Sequence, residues 1–376
     1  MADYDRDGYL DLYVCAYGYV LGEGSTIPCP YYDAQNGPPN RLYHNQGTGT
    51  FIDVTTSSGL DHGNNRYSFA CAWNDIDDNG WPDLAVVNDF GRNNLYRNLR
   101  NGKFEEVEDS MAGYGSGMSA SFADYNGDGA ADLYVSNMWV PSGERITADP
   151  EFQQRLQDDS GRVREFAMGN ALYLNSKSGS GPNGGQGAMP PLTTTPFRKI
   201  PNAGGAERAR WAWCSDALDL ENNGTPDLYV VNGYLSSPVA GLAPLDAYLW
   251  EEVVALSPKT NVVGSEYGAA WAAISQLSHQ GYPWNGNERN VFFLNLGDGR
   301  FEDASAVTGL DFRDDGRAFA VLDYDGDGDA DLVLHNRTGP QLRLLRNDLA
   351  NSNRSIAIRL TGTKSNRDAI GARVEV

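Results

Sequence analysis

The stretch DYDGDGDADLVLHN, Asp323–Asn336, begins with a nine-residue acidic loop with glycine at its sixth position and runs directly into an apolar, β-branched segment. The loop occurs four more times, as DYDRDGYLD from Asp3, DIDDNGWPD from Asp75, DYNGDGAAD from Asp124 and DLENNGTPD from Asp219. Oxygen-bearing side chains recur at loop positions 1, 3, 5 and 9, and the glycine allows the sharp turn between them. Hard oxygen donors at this spacing suit Ca²⁺, whereas soft or redox metals favour other atoms.

Each predicted ligand set takes four side chains and the main-chain carbonyl of position 7. The sets are Asp3, Asp5, Asp7, Tyr9 and Asp11; Asp75, Asp77, Asn79, Trp81 and Asp83; Asp124, Asn126, Asp128, Ala130 and Asp132; Asp219, Glu221, Asn223, Thr225 and Asp227; and Asp323, Asp325, Asp327, Asp329 and Asp331. The helix-flanked EF-hand shares the first half of this pattern but needs a bidentate Glu at position 12. Here position 12 is Val14, Val86, Val135, Val230 and Leu334, so that reading fails in all five loops. The residues from position 9 onward read as a strand (DLYVCA, DLAVVN, DLYVSN, DLYVVN, DLVLHN), and a short apolar run precedes the last four loops. The acidic loop is therefore expected to connect two strands.

A second phrase completes the unit. NRLYHNQGTGTFIDV from Asn40 returns as NLYRNLRNGKFEEV from Asn94, as NALYLNS followed by FRKI, and as NVFFLNLGDGRFEDA from Asn290. Each reads as strand, Gly-rich turn, strand. Four strands repeating at blade-like spacing predict an all-β chain, a β-propeller of four-stranded blades whose faces are buried against neighbours in a ring. Five blades are recognisable.

These loops and strands resemble the FG-GAP or VCBS repeats of integrin α-like β-propellers, over most of residues 1–347. The tail, SIAIRLTGTKSNRDAIGARVEV within 351–376, resembles the start of the ASPIC/UnbV domain that follows such repeats in the cartilage acidic protein-like family. The resemblance implies an extracellular or cell-surface, calcium-binding adhesion module that is not an enzyme, with up to seven blades in a full-length protein and a protein or glycan as partner. Glu221 departs from the usual Asp or Asn at position 3, so the fourth site is expected to be the weakest.

Composition agrees with this reading. The net charge of −21 disfavours nucleic acid and anionic membranes. Of the 50 acidic residues, 19 lie in the five loops, so five bound Ca²⁺ would bring the charge to about −11. No apolar run is long enough to span a bilayer, and a monomer is expected. The first and last blades each lack one strand, which reads as a fragment with a poorly closed ring and an absent export signal. Cys15 and Cys29 are a candidate disulfide, while Cys71 and Cys214 read as buried small hydrophobes.

Three insertions, at about 17–39, 138–169 and 233–289, fall between the second and third strands of their blades. Strand alternation puts them on the face opposite the acidic loops. They carry helix signals, with Asp149 as N-cap before Pro150 and the runs DAYLWEEVVAL and EYGAAWAAISQL. They also concentrate aromatics, including Tyr31, Tyr32, Trp139, Tyr248 and Tyr282. Of these aromatics, Trp250, Trp271 and Trp284 are the best candidates for a recognition surface. The competing reading is that these aromatics pack the helices onto the propeller. Residues 176–195 read as a flexible hairpin tip. The four histidines, His44, His62, His279 and His335, show no metal-ligand spacing, and no catalytic motif is present. A polysaccharide-active enzyme with its site under the inserted helices is the alternative, favoured by a carboxylate pair or a Lys/Tyr/His cluster there.

Overall fold

The computed structural model describes residues 1–18, 26–107, 111, 113–175, 197–349, 353–372 and 374. The predicted hairpin tip at 176–195 lies outside them. The described chain is mostly β, arranged as five consecutive antiparallel sheets, three of four strands with a three-stranded sheet at each end, together with a two-stranded ribbon that pairs Gly91–Arg92 with Tyr114–Gly115. In all five the acidic loop leads directly into a strand: Leu12–Val14, Asp83–Asp89, Asp132–Asn137, Asp227–Asn232 and Asp331–Asn336. The middle three of these strands are buried on both sides because their sheets lie between two others.

Alternation along the strands divides the work. Leu84 and Val86 face the first sheet's Tyr13 and Leu42, whereas Ala85 and Val87 face the third sheet's Leu133 and Val135. Tyr134 of the third sheet then meets Leu228 and Val230 of the fourth, whose Tyr229 and Val231 meet Leu332 and Leu334 of the fifth. A slip of one residue would point each strand's side chains at the wrong neighbour. The outer faces at the two ends keep Leu12 and Val14, and Leu342 and Leu344, exposed, and no closed ring forms among the described residues.

The strand preceding each of the last four loops carries the same irregularity. Register shifts fall between Ser68 and Ala70, Gly117 and Ser119, Ala212 and Cys214, and Gly316 and Ala318. A bulge re-aims the extra side chain. The displaced residues Phe69 and Trp213 meet at a centroid distance of 5.7 Å, and the Arg317 guanidinium lies 4.6 Å from the Trp213 ring centroid. Inner strands of sheets far apart in sequence therefore converge on one centre.

The three insertions do emerge between second and third strands, and they are helical where predicted. Asp149 accepts from the backbone N–H of Glu151 and Phe152 at the start of Pro150–Leu156, and Ser265–His279 is the longest helix. Together with Phe90 they form one shared core containing Tyr31, Phe152, Phe166, Trp250 and Trp271. Over 353–372 the tail forms no strand, and Ile356, Ile358 and Leu360 stand exposed. One expectation fails. Cys15 and Cys29 are not bridged: Cys29 is buried in the insertion core with its thiol 3.2 Å from the Thr260 carbonyl, and Cys15 instead packs with Cys71 of the second sheet against the core between the first two sheets. Among the described residues no helix is long and apolar enough to cross a membrane.

Candidate metal centres

The acidic loops share one internal wiring. The position 1 carboxylate accepts the N–H of the position 6 glycine in all five, from Gly8, Gly80, Gly129, Gly224 and Gly328, at 2.6–3.2 Å. Position 5 accepts the N–H of position 7, seating Tyr9, Trp81, Ala130, Thr225 and Asp329. These turns leave the remaining carboxylate lone pairs aimed into the loop.

Position 9 is different. Asp11, Asp83, Asp132, Asp227 and Asp331 each accept two backbone N–H groups, from loop position 2 and from an asparagine at or just past the end of the strand paired with the one that follows the loop. For Asp132 the donors are Tyr125 at 3.0 Å and Asn175 at 2.8 Å. This aspartate is a structural clamp as well as a candidate ligand. The asparagines were missed by sequence reasoning, although the repeated Asn closing LYHN, LYRN, ALYLN, VFFLN and LLRN was a readable signal. In four sheets the asparagine amide reaches the carbonyl of position 2 in the preceding sheet's loop: Asn98 to Tyr4, Asn175 to Ile76, Asn295 to Tyr125 and Asn347 to Leu220, all at 2.8–2.9 Å. Asn45 of the first sheet reaches its own Leu10 carbonyl.

Three loops gather carboxylates closely. Oxygens of Asp3, Asp5 and Asp7, of Asp75, Asp77 and Asp83, and of Asp323, Asp325 and Asp331 lie within 4.8 Å of one another in each group. The third and fourth loops are wired the same way but place neutral side chains in the set: Asn126 donates to Asp128, and Asn223 donates to Glu221. Burial pushes Asp11 and Asp227 up to about 6 and Asp132 up to about 7, with the backbone N–H bonds opposing and neighbouring acids adding to the rise. Asp3, Asp5 and Asp75 are raised by burial too. Carboxylates held in this way favour a cation. Asp3 Oδ1 and Asp77 Oδ1 are buried without a hydrogen-bond partner, an orphaned state that an oxygen-seeking ion would relieve. The donor set fits Ca²⁺.

The opposite end of the sheets corrects the expected recognition surface. Trp250, Trp271 and Trp284 are each only 4% exposed, and Tyr31, Tyr32 and Trp139 are buried with them. They hold the insertions down; Tyr31, for example, packs on Phe90, Phe166 and Trp271. Two of the exposed aromatic rings, Tyr9 and Tyr324, stand instead among the acidic loops. Buried carboxylates also lie under the inserted segments. Burial pushes Asp89 and Glu288 up to about 7 and Asp246 up to about 6. Asp89 accepts from the Tyr17 hydroxyl at 2.7 Å, and Glu288 accepts from the Trp211 N–H and the Asn285 amide, so these two are committed to the packing.

Comparison with known proteins finds the FG-GAP-like repeat in three regions, residues 3–86, 75–135 and 282–334. No curated protein matches the chain. Among solved structures, the Bacillus licheniformis rhamnogalacturonan lyase PL11 superposes at a TM-score of 0.28 with 14% identity, over 94% of this chain and 61% of that one, a likeness too slight to carry an argument. The chain thus spans less than two thirds of that protein's length. Four of the five acidic loops, those from Asp3, Asp75, Asp124 and Asp323, fall inside these regions and match the FG-GAP-like repeat, while the loop from Asp219 lies outside them.

Proposed function

We propose that this chain is a Ca²⁺-stabilised β-propeller that serves as a protein- or glycan-binding, adhesive module outside the cell, and that it is not itself a catalyst. The observation that carries this reading is the five-fold repeat of one loop wiring, with carboxylates gathered in the first, second and fifth loops. Ca²⁺ would be held by positions 1, 3, 5 and 9 and the carbonyl of position 7. Bound there, it supplies positive charge that lets the buried carboxylates ionise without mutual repulsion. The chain's own residues do the rest: the position 9 aspartates fix the loop to its sheet, and the asparagines bonded to them fix each loop to the next sheet. The tail from Ser355 is read as the start of an ASPIC/UnbV segment.

Calorimetric titration with Ca²⁺, paired with melting in Ca²⁺ and in chelator, tests the reading. The expected outcome is binding at roughly 10⁻⁵ to 10⁻³ M with a higher Tm in Ca²⁺, and with the Glu221 loop weakest. Absence of both heat and melting shift sinks it.

One observation favours a second reading, a polysaccharide-active enzyme. A cleft of about 340 Å³ runs beside the insertion helix Ser160–Phe166. At its wall the Lys199 ammonium pairs with Glu165 at 2.8 Å, and both ends converge with the Tyr173 hydroxyl beside Gly113. Chain shortening of an acidic polysaccharide, abolished by Lys199→Ala, would establish this reading, and no shortening would dismiss it.

A further inference from the structure

The five loops are not equivalent at one point. The residue just before the clamping asparagine is His44, Arg97, Leu174, Leu294 or Arg346, in sheet order. This position addresses loop position 3. Arg97 pairs with Asp77, and Arg346 lies 3.7 Å from Asp325. In the second and fifth loops the chain thus brings its own fixed cation to a candidate ligand, and in the third and fourth it brings an alkyl group. Only the first loop receives a side chain with a lone pair to give.

We propose that Asp5, Asp11 and His44 form a mixed nitrogen–oxygen site for a dication of the zinc class, distinct in ligand chemistry from the all-oxygen loops of the other four sheets. The proposal rests on the reading of these loops as cation sites. His44 Nδ1 lies 3.3 Å from Asp5 Oδ2 and 3.2 Å from Asp11 Oδ1. Despite that proximity Nδ1 is buried and makes no hydrogen bond, so the nitrogen meets the two carboxylates without being committed to either. Donors bound to one zinc at about 2.0–2.1 Å sit about 3.3–3.4 Å apart along a tetrahedral edge, close to the spacing found here. Ca²⁺, with bonds of roughly 2.3–2.6 Å and a need for six or more oxygens, suits this nitrogen-bearing triad less well. Imidazole is a favoured ligand of zinc and its neighbours.

A second feature points the same way. Asp5 is shared with the group formed by Asp3 and Asp7, and Asp3, only 8% exposed, keeps Oδ1 without a partner. Positive charge is thus called for on both sides of Asp5. The two N–H bonds that Asp11 accepts hold its carboxylate in place for the task.

The test uses the 376-residue chain saturated with Ca²⁺ and titrated with Zn²⁺, then with Co²⁺, whose visible bands report coordination. The expected result is one Zn²⁺ taken up in addition to Ca²⁺, and a Co²⁺ spectrum of low coordination number. His44→Leu, which copies the third and fourth loops, should weaken Zn²⁺ by about 100-fold or more and remove the Co²⁺ bands. Arg41→Ala, on the same strand as His44 but outside every acidic loop, should leave both in place. Equal Zn²⁺ binding by His44→Leu and the natural chain overturns the proposal. Should that variant misfold, the natural chain decides alone: no Co²⁺ bands in Ca²⁺ overturns it. Zn²⁺ uptake without Ca²⁺ uptake anywhere would instead count against the calcium reading and leave this one standing.

Discussion

The two ends of the sheets hold together by opposite means. At the acidic-loop end, short polar turns are tied by carboxylates to backbone N–H groups, and the same bonds recur from sheet to sheet. At the insertion end, segments from three different sheets share one aromatic core in which no contact repeats. The first end trades in directional bonds and charge, and responds to cations and pH. The second trades in buried area, about 25 cal/mol per Å², and should be indifferent to cations.

The largest effect that could break this comparison is at the insertion end. Trp271→Ala should cost about 3–5 kcal/mol in denaturant unfolding, with or without Ca²⁺, because it leaves a cavity among Tyr31, Phe90 and Tyr267. Tyr324→Ala, an exposed ring on the loop end, should stay within about 0.5 kcal/mol. Similar costs for the two would erase the distinction.

Next in size is a contrast within one loop. Asp132→Ala strands the N–H groups of Tyr125 and Asn175 and should cost about 2 kcal/mol or more even in chelator. Asp128→Ala, on the exposed rim, should lower the Tm in Ca²⁺ but scarcely in chelator. A loss from Asp132→Ala that vanishes in chelator would mean that position 9 is a ligand and not a clamp. Smaller again, Asn175→Ala removes the bond to the Ile76 carbonyl across two sheets and should cost about 1–2 kcal/mol, read as a lower midpoint in denaturant.

The smallest effect concerns pH. Asp89, Glu288 and Asp246 have folded values raised by burial to about 7, 7 and 6, above ordinary values of 3.8, 4.5 and 3.8. Below the ordinary values folded and unfolded states are both protonated and burial carries no charge penalty; above the folded values the penalty is complete. Stability in chelator should therefore fall as pH rises from roughly 4 to 7, by about 1 kcal/mol after relaxation and water penetration damp the shifts. Melting at pH 5 and pH 8 checks the sign, and a higher Tm at pH 8 in chelator would reverse it.

Legibility in the sequence divides along the same line. The loops, the strands beside them and the helix cap at Asp149 were legible because each rests on local chemistry: an oxygen spacing, an alternation, a capping carboxylate. The burial of Trp250, Trp271 and Trp284 was not, since a tryptophan on an inserted helix reads alike whether a third segment covers it or water does. His44 was passed over for a related reason. Its partners stand more than thirty positions away along the chain, at Asp5 and Asp11, and only the pairing of Tyr43 with Leu12 brings that strand beside the loop. The Cys15–Cys29 pairing assumed that closeness in sequence meant closeness in space, whereas Cys15 faces the neighbouring sheet.

The asparagine amides give the row of sheets a direction. In the first four loops the position 2 residue donates its N–H to its own loop's position 9 aspartate, and its carbonyl accepts from the asparagine amide of the next sheet along the chain. An ion that stiffens one loop therefore stiffens the anchor point of its successor. Occupancy should spread as nearest-neighbour cooperativity, with each coupling free energy shared reciprocally by two adjoining sites, as in other linear arrays. Emptying a loop in the middle of the row would then loosen the molecule at a boundary between sheets, and the units on either side would begin to melt as separate blocks.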